Sequence, residues 1–138
     1  MISKELLKAY KATDFIFYPD NSISIIKVGK TNKVLDKILK KHKATEGAFI
    51  TPWNPKSKNL SYKQNQKRMD QLIKLLKRMN LIFIFGVGRS PDGKYYEDSL
   101  LVLNIKSADA MDLGRKFGQN AIVLHKIMGK SQLGFCQD

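Results

Sequence analysis

The chain reads as an α/β (α+β) domain, a single-domain sandwich of helices on a mixed parallel and antiparallel sheet. Three observations predict this. Short apolar runs with period-two alternation take turns with longer stretches of helical periodicity. The changes between them fall on Pro, Gly, Asn, Asp and Ser. Some strand-to-strand connections are tight turns and others pass through a helix, which mixes strand directions. At 138 residues the chain fits one domain, 1–138, that buries roughly two-thirds of its unfolded surface.

Each element has its own signal. "SKELLKAYKA" predicts a short helix with Ser3 as cap and Leu6, Leu7 and Tyr10 on one face. "DFIFYPDNSISII" predicts a hairpin: Phe15 and Phe17 alternate in one strand, Ile23 and Ile25 in the other, and Pro19, Asp20 and Asn21 turn the chain. "TNKVLDKILKKHK" is a helix capped by Thr31 or Asn32, with Leu35, Ile38 and Leu39 inward. "GAFITPWNP" is a strand stopped by Pro52 and Pro55. "SYKQNQKRMDQLIKLLKRMN" is the strongest helix, capped by Ser61 and striped by Met69, Leu72, Ile73, Leu76 and Met79. "LIFIFGVG" is a fully apolar run of the kind a central strand shows. After the Pro-Asp-Gly turn, "YEDSLLVLNI" returns antiparallel. "SADAMDLGRKF" is a helix capped by Ser107 and ended by a left-handed Gly118. "AIVLHKI" and "SQLGF" close the chain as strands.

These connections predict a site. The strand ending at Thr51 and the strand 81–87, joined by a long helix, are expected to be parallel. The strand 96–105 opposes them, and the strand 121–127 follows a second crossover and parallels 96–105. Two strands then end and two begin on one edge. That edge gathers Asn54, Ser57, Arg89, Glu97, Ser99, Gln119 and Asn120. The Ser61 helix starts there, and Asn65 and Arg68 lean toward the same place. Each amide could equally be a brace for loop backbone, since an unpaired buried polar group costs about 1–3 kcal/mol.

Four quoted stretches, "FITPWNPKS", "NQKRMDQL", "GVGRSPDGKYYEDSLLVLNI" and "LGRKFGQNAIV", resemble domain-of-unknown-function family 3293, a bacterial family, over roughly 44–124. The resemblance implies that Asn54, Pro55, Ser57, Asn65, Gly88, Glu97, Ser99, Gly118, Gln119 and Asn120 match a recurring pattern, and it implies no activity. Pro52 departs from the pattern, which usually has a small residue there.

The net charge is +13, and it is uneven: residues 1–80 hold 18 Lys and Arg against 6 Asp and Glu, residues 81–138 hold 7 against 6. Such a surface suits a polyanion, although 21 of the 25 cations are Lys, the less specific phosphate reader. The first residues lack an apolar signal core, so a cytoplasmic protein is expected. The single Cys136 has no partner for a disulfide or metal pair. His42 and His125 lack ligand partners at metal spacing, and no metal site or cofactor is indicated. His42 is expected to be half-buried. "GVGRSPDG" lacks the ending of a phosphate loop.

The sequence thus predicts binding of a phosphate-bearing ligand, RNA/DNA or a nucleotide. Asn54, Asn65, Gln119 and Asn120 would read a base or sugar, Arg68, Arg89 and the Ser61 helix start would hold phosphate, and Trp53 or Tyr62 would stack. The alternatives are a small enzyme with Glu97 as general base or metal ligand, and a protein-interaction module such as a toxin, antitoxin or defence accessory. No membrane partner is expected.

Overall fold

The computed structural model describes residues 2–136. In chain order these form α1 (Lys4–Ala12), β1 (Asp14–Phe17), β2 (Ser24–Ile26), α2 (Lys33–Lys41), β3 (Glu46–Ile50), α3 (Tyr62–Arg78), β4 (Phe83–Arg89), β5 (Tyr96–Leu103), α4 (Ser107–Lys116), β6 (Ala121–Lys126) and β7 (Gln132–Phe135). A 3₁₀ turn at Pro55–Ser57 links β3 to α3.

All seven strands share one sheet in the order β2-β1-β4-β5-β3-β6-β7, and every neighbouring pair is antiparallel. This corrects the mixed sheet expected from the sequence. The crossover rule gave strand directions correctly and neighbours incorrectly. β3 and β4 do point the same way, but β5 lies between them. Likewise β5 and β6 point the same way with β3 between them. Each helical crossover skips one slot, and the slot is filled by a strand of the opposite sense.

Helices cover both faces. On one, α3 and α4 lay Met69, Leu72, Leu76, Ala110, Leu113 and Phe117 over Ala48, Ile50, Leu100 and Val102. On the other, Leu35 and Leu39 of α2, with Tyr10 of α1, meet Phe15, Phe17, Phe49, Leu101 and Val123. At about 25 cal/mol per Å2 of apolar surface these two clusters are the main stabilising term.

The helix caps follow the sequence with one exception. Ser3 accepts from the Leu6 amide, Asn32 from Leu35, and Ser61 forms a capping box with Gln64. Ser107, expected as a cap, is the first helical residue; its amide and hydroxyl both donate to the Glu46 carboxylate at 3.2 Å. A carboxylate on β3 therefore caps α4 from outside the local sequence. Burial in two strands is decided by pairing and by the placement of the helices. In the hairpin Phe15 faces Ile26 and Phe17 faces Ser24, so Ile26 is inward and Ile23 and Ile25 are exposed. β4 is central in the sheet, yet the face it turns toward α3 and α4 is only partly covered: Val87 is buried and Phe83 partly so, but Phe85 is 57% exposed, because the two helices sit over β5, β3 and β6. Among the described residues no helix is long and apolar enough to cross a membrane.

Candidate functional site

β3 and β4 end, and β1, β5 and β6 begin, on one edge of the sheet. The chain leaves β3 through Thr51, whose hydroxyl donates to the Asp98 carbonyl at 2.7 Å and accepts the Trp53 amide at 3.1 Å. It then reverses at Asn54, held in the left-handed region at φ 48°, a conformation that Asn tolerates better than most residues.

Asn54 is the hub of the edge. Its amide N–H donates to Asn65 Oδ1 at 3.0 Å, and its Oδ1 accepts from Leu60 N at 2.9 Å and from Asn65 Nδ2 at 3.0 Å. Its Nδ2 donates to Glu97 Oε2 at 3.0 Å. Gln119 Nε2 donates to the Trp53 carbonyl at 2.9 Å, and Asn120 Nδ2 to Ser57 Oγ at 3.1 Å. Gly118, at φ 69°, would drive a Cβ to within 2.8 Å of Pro55, and its carbonyl takes the Lys56 amide at 2.7 Å. The Asn-Pro and Phe-Gly-Gln-Asn stretches are thus two loops stitched together, and most of their amides act as braces. Both loops stand beside a cavity.

Arg68 and Arg89 do not join them as ligand cations. Arg68 Nε donates to the Pro52 carbonyl at 2.6 Å, its Nη2 donates to the Phe117 carbonyl, and the guanidinium lies 5.6 Å from the Phe117 ring centre. Two of its donors thus hold loop carbonyls, and neither Arg68 nor Arg89 lines the cavity. Arg89 is exposed on the opposite face from the cavity. The start of α3 is closed by its own capping box. Trp53 is a buried plug rather than a stacking platform: its ring meets Tyr62 and Tyr96 edge-on at 5.8 and 6.0 Å, and its indole N–H has no hydrogen-bond partner among the described residues.

The cavity holds about 370 Å3. Leu6 and Tyr10 of α1, Phe15, Phe49 and Val123 form apolar walls, with Glu97, Ser99, Gln119, Asn54 and Asn120 as the polar groups and Pro91 and Tyr95 at the rim. Sequence reasoning missed the α1 wall and Tyr95, whose hydroxyl donates to Glu97 Oε1. Period-two alternation from Glu97 did carry a signal: Glu97 and Ser99 share the face of the buried Leu101 and Leu103. Ser99 Oγ donates to the Glu97 carbonyl at 3.1 Å, so it shapes the strand.

Glu97 is 5% exposed. Burial raises the pKa of its carboxyl above the ordinary value, and the hydrogen bonds from Tyr95 and Asn54 only partly oppose this. Burial, then the nearby Glu97 charge, pushes the Tyr10 phenol up to about 12 and raises Tyr95 as well. The site therefore favours neutral forms. Among the described residues no group of three or more His, Cys, Asp or Glu side chains is placed to hold a metal ion.

The histidines lie elsewhere. His42 is exposed at the end of α2, not half-buried. His125 is buried, with Nδ1 2.8 Å from Ser131 Oγ and Nε2 2.7 Å from Asp36 Oδ1. This row resembles a catalytic triad with the ring nitrogens exchanged. Ser131 is wholly buried, so the row ties α2 to β6 rather than meeting a substrate. Cys136 is buried too, its amide donating to the Asn120 carbonyl.

Fold and site together define an antiparallel α/β domain with a partly closed, apolar cavity at its strand ends and one buried carboxyl inside. The family described as "Protein of unknown function (DUF3293)" matches residues 50–122, more than half of the chain, and the chain belongs to it. Every candidate residue from Asn54 to Asn120 falls within the match, whereas Tyr10 and Phe15 precede it. No curated protein and no solved structure matches the chain.

Proposed function

We propose that this protein binds a small organic molecule in the cavity beside Glu97, with an apolar body against Phe15, Phe49 and Val123 and a hydrogen-bond-donating or cationic group at the carboxyl. One observation carries this: among the described residues that line the cavity, Glu97 is the only Asp, Glu, Lys or Arg, despite a chain charge of +13. A phosphate there would meet a carboxyl group and no Arg or Lys, so the nucleotide expected from the sequence finds no support at this site. The volume lies in the range of small-molecule pockets.

Gly88 supplies the test. It lines the cavity, and a Cβ added there would lie 3.8 Å from the Phe15 ring and 4.0 Å from Ser99 Oγ, ordinary contact distances. A Cβ therefore fits there, and the two further carbons of Gly88→Val should occlude the space. Ligand-observed NMR of a fragment set is expected to return apolar amines and alcohols for the wild type and to lose at least about ten-fold in affinity for Gly88→Val. Hits dominated by phosphates, or unchanged binding by the variant, would overturn the proposal.

A second reading, acid–base catalysis by Glu97, is favoured by its proton affinity and its contact with Tyr95. It expects Glu97→Gln to keep ligand binding while turnover falls at least about 100-fold. Equal turnover by the two proteins would remove it.

A further inference from the structure

The face of β2, β1 and β4 that α3 and α4 leave uncovered is not an ordinary polar surface. Ile23, Ile25, Tyr18, Phe85 and Tyr96 all point out of it, and Tyr62 from the first turn of α3 extends it. Four of these six are aromatic, with Phe85 57%, Tyr96 50% and Tyr62 69% exposed. The grouping is physical as well as sequential. Tyr18 N donates to the Phe85 carbonyl at 3.3 Å, which places the two residues across from each other. The Tyr96 phenol, held up mainly by its hydrogen bond to Asp98, also feels the phenols of Tyr18 and Tyr62.

Exposed apolar area of this kind marks a docking surface, and charge selects its occupant. A second copy would bring another +13 against the first. The carboxylates on this face are engaged: Asp14 is paired with Lys27 at 3.0 Å, and Asp98 accepts from Gln66 and Tyr96. The Arg89 side chain, across from Tyr96 on one side and from the Lys27-paired Asp14 on the other, makes no hydrogen bond or ion pair among the described residues. Lys63 and Lys67 on α3 are exposed beyond Tyr62. Aromatic rings beside unneutralised cations match the backbone and bases of a polyanion, and rings on a sheet face stack on bases only where those bases are unpaired.

We infer that the Tyr18, Tyr62, Phe85 and Tyr96 face is a binding surface for single-stranded nucleic acid, with Arg89 and the α3 lysines contacting phosphate. It is separate from the cavity, which opens on the other side of the sheet.

Fluorescence anisotropy with a labelled oligo(U) of roughly 12 nucleotides tests this. The wild type should bind, and affinity should fall with salt. Tyr62→Ala with Phe85→Ala, both solvent-facing, should weaken binding at least about tenfold at every salt concentration and leave the salt slope unchanged, because stacking is lost and the phosphate contacts stay. Tyr62→Ala alone, outside the sheet, should lose about threefold or more, and Gly88→Val should bind like the wild type. A duplex of the same length should compete less well. Equal binding by the aromatic variants, or equal competition by the duplex, overturns the inference and leaves a non-selective charge effect. No binding at about 50 mM salt overturns it as well and turns the patch toward an acidic protein.

Discussion

Asn54→Ala is expected to cost the fold about 3–5 kcal/mol, the largest loss among single truncations at the strand-end site. Three side-chain hydrogen bonds vanish together: those to Leu60 N, Asn65 Nδ2 and Glu97 Oε2. Each deserted partner is partly or fully buried, so water replaces the lost contacts poorly. The backbone adds strain, because alanine at φ 48° meets the left-handed penalty of about 1–2 kcal/mol. Urea denaturation would measure the sum. Asn54→Gly separates the two causes, recovering about 1 kcal/mol of strain but none of the hydrogen bonds. A loss below about 1 kcal/mol for alanine would mean that the loop reorganises and that Asn54 is no hub.

The second large effect is a pH dependence. Glu97 has a native pKa raised above its ordinary value of 4.5 by burial. Well below 4.5 both native and unfolded states hold the proton, and Glu97 adds no pH dependence. As pH rises from there through the native pKa, the unfolded chain releases the proton while the native state resists. Wild-type stability therefore falls across that window, by about 1.4 kcal/mol for each pH unit of elevation. Glu97→Gln lacks the titration, and its amide can accept from Asn54 and donate to the Tyr95 oxygen. Urea midpoints from pH 4 to 8 should show the variant gaining on the wild type as pH rises. The opposite trend would mean that Tyr95 and Asn54 stabilise the carboxylate more than burial destabilises it.

How far the sequence led depends on the kind of inference. Strand directions were readable, because a helix between two strands constrains their sense. That alone placed Asn54, Glu97, Gln119 and Asn120 on one edge. Strand order was not readable: no local pattern in "LIFIFGVG" or "GAFITP" says that β5 will slip between them. The hairpin shows a related blindness, since alternation at Ile23 and Ile25 is the same whichever face is buried, and the pairing of Phe15 with Ile26 decides it. Arg68 looked like a ligand cation because its partners, two loop carbonyls, exist only once the turns at Asn54 and Gly118 are formed. Tyr10 looked like ordinary helix stripe, and nothing near it in sequence announces Glu97. His125 finds Asp36 89 residues away.

The skipped slots of the sheet bear on how the chain acquires its shape. When synthesis has reached Arg89, β3 and β4 are both complete, yet the strand that will join them has not been made. β5 then fills the gap and pairs on both edges, and β6 must travel past it to reach β3. Neither half of the chain holds a finished sheet, and the central ladder cannot close before β5 is made. Folding dominated by such distant pairings is slow relative to helical bundles of similar size. Until β5 arrives, β3 and β4 each present an unpaired apolar border, the stage at which this protein is most open to sticking to its neighbours.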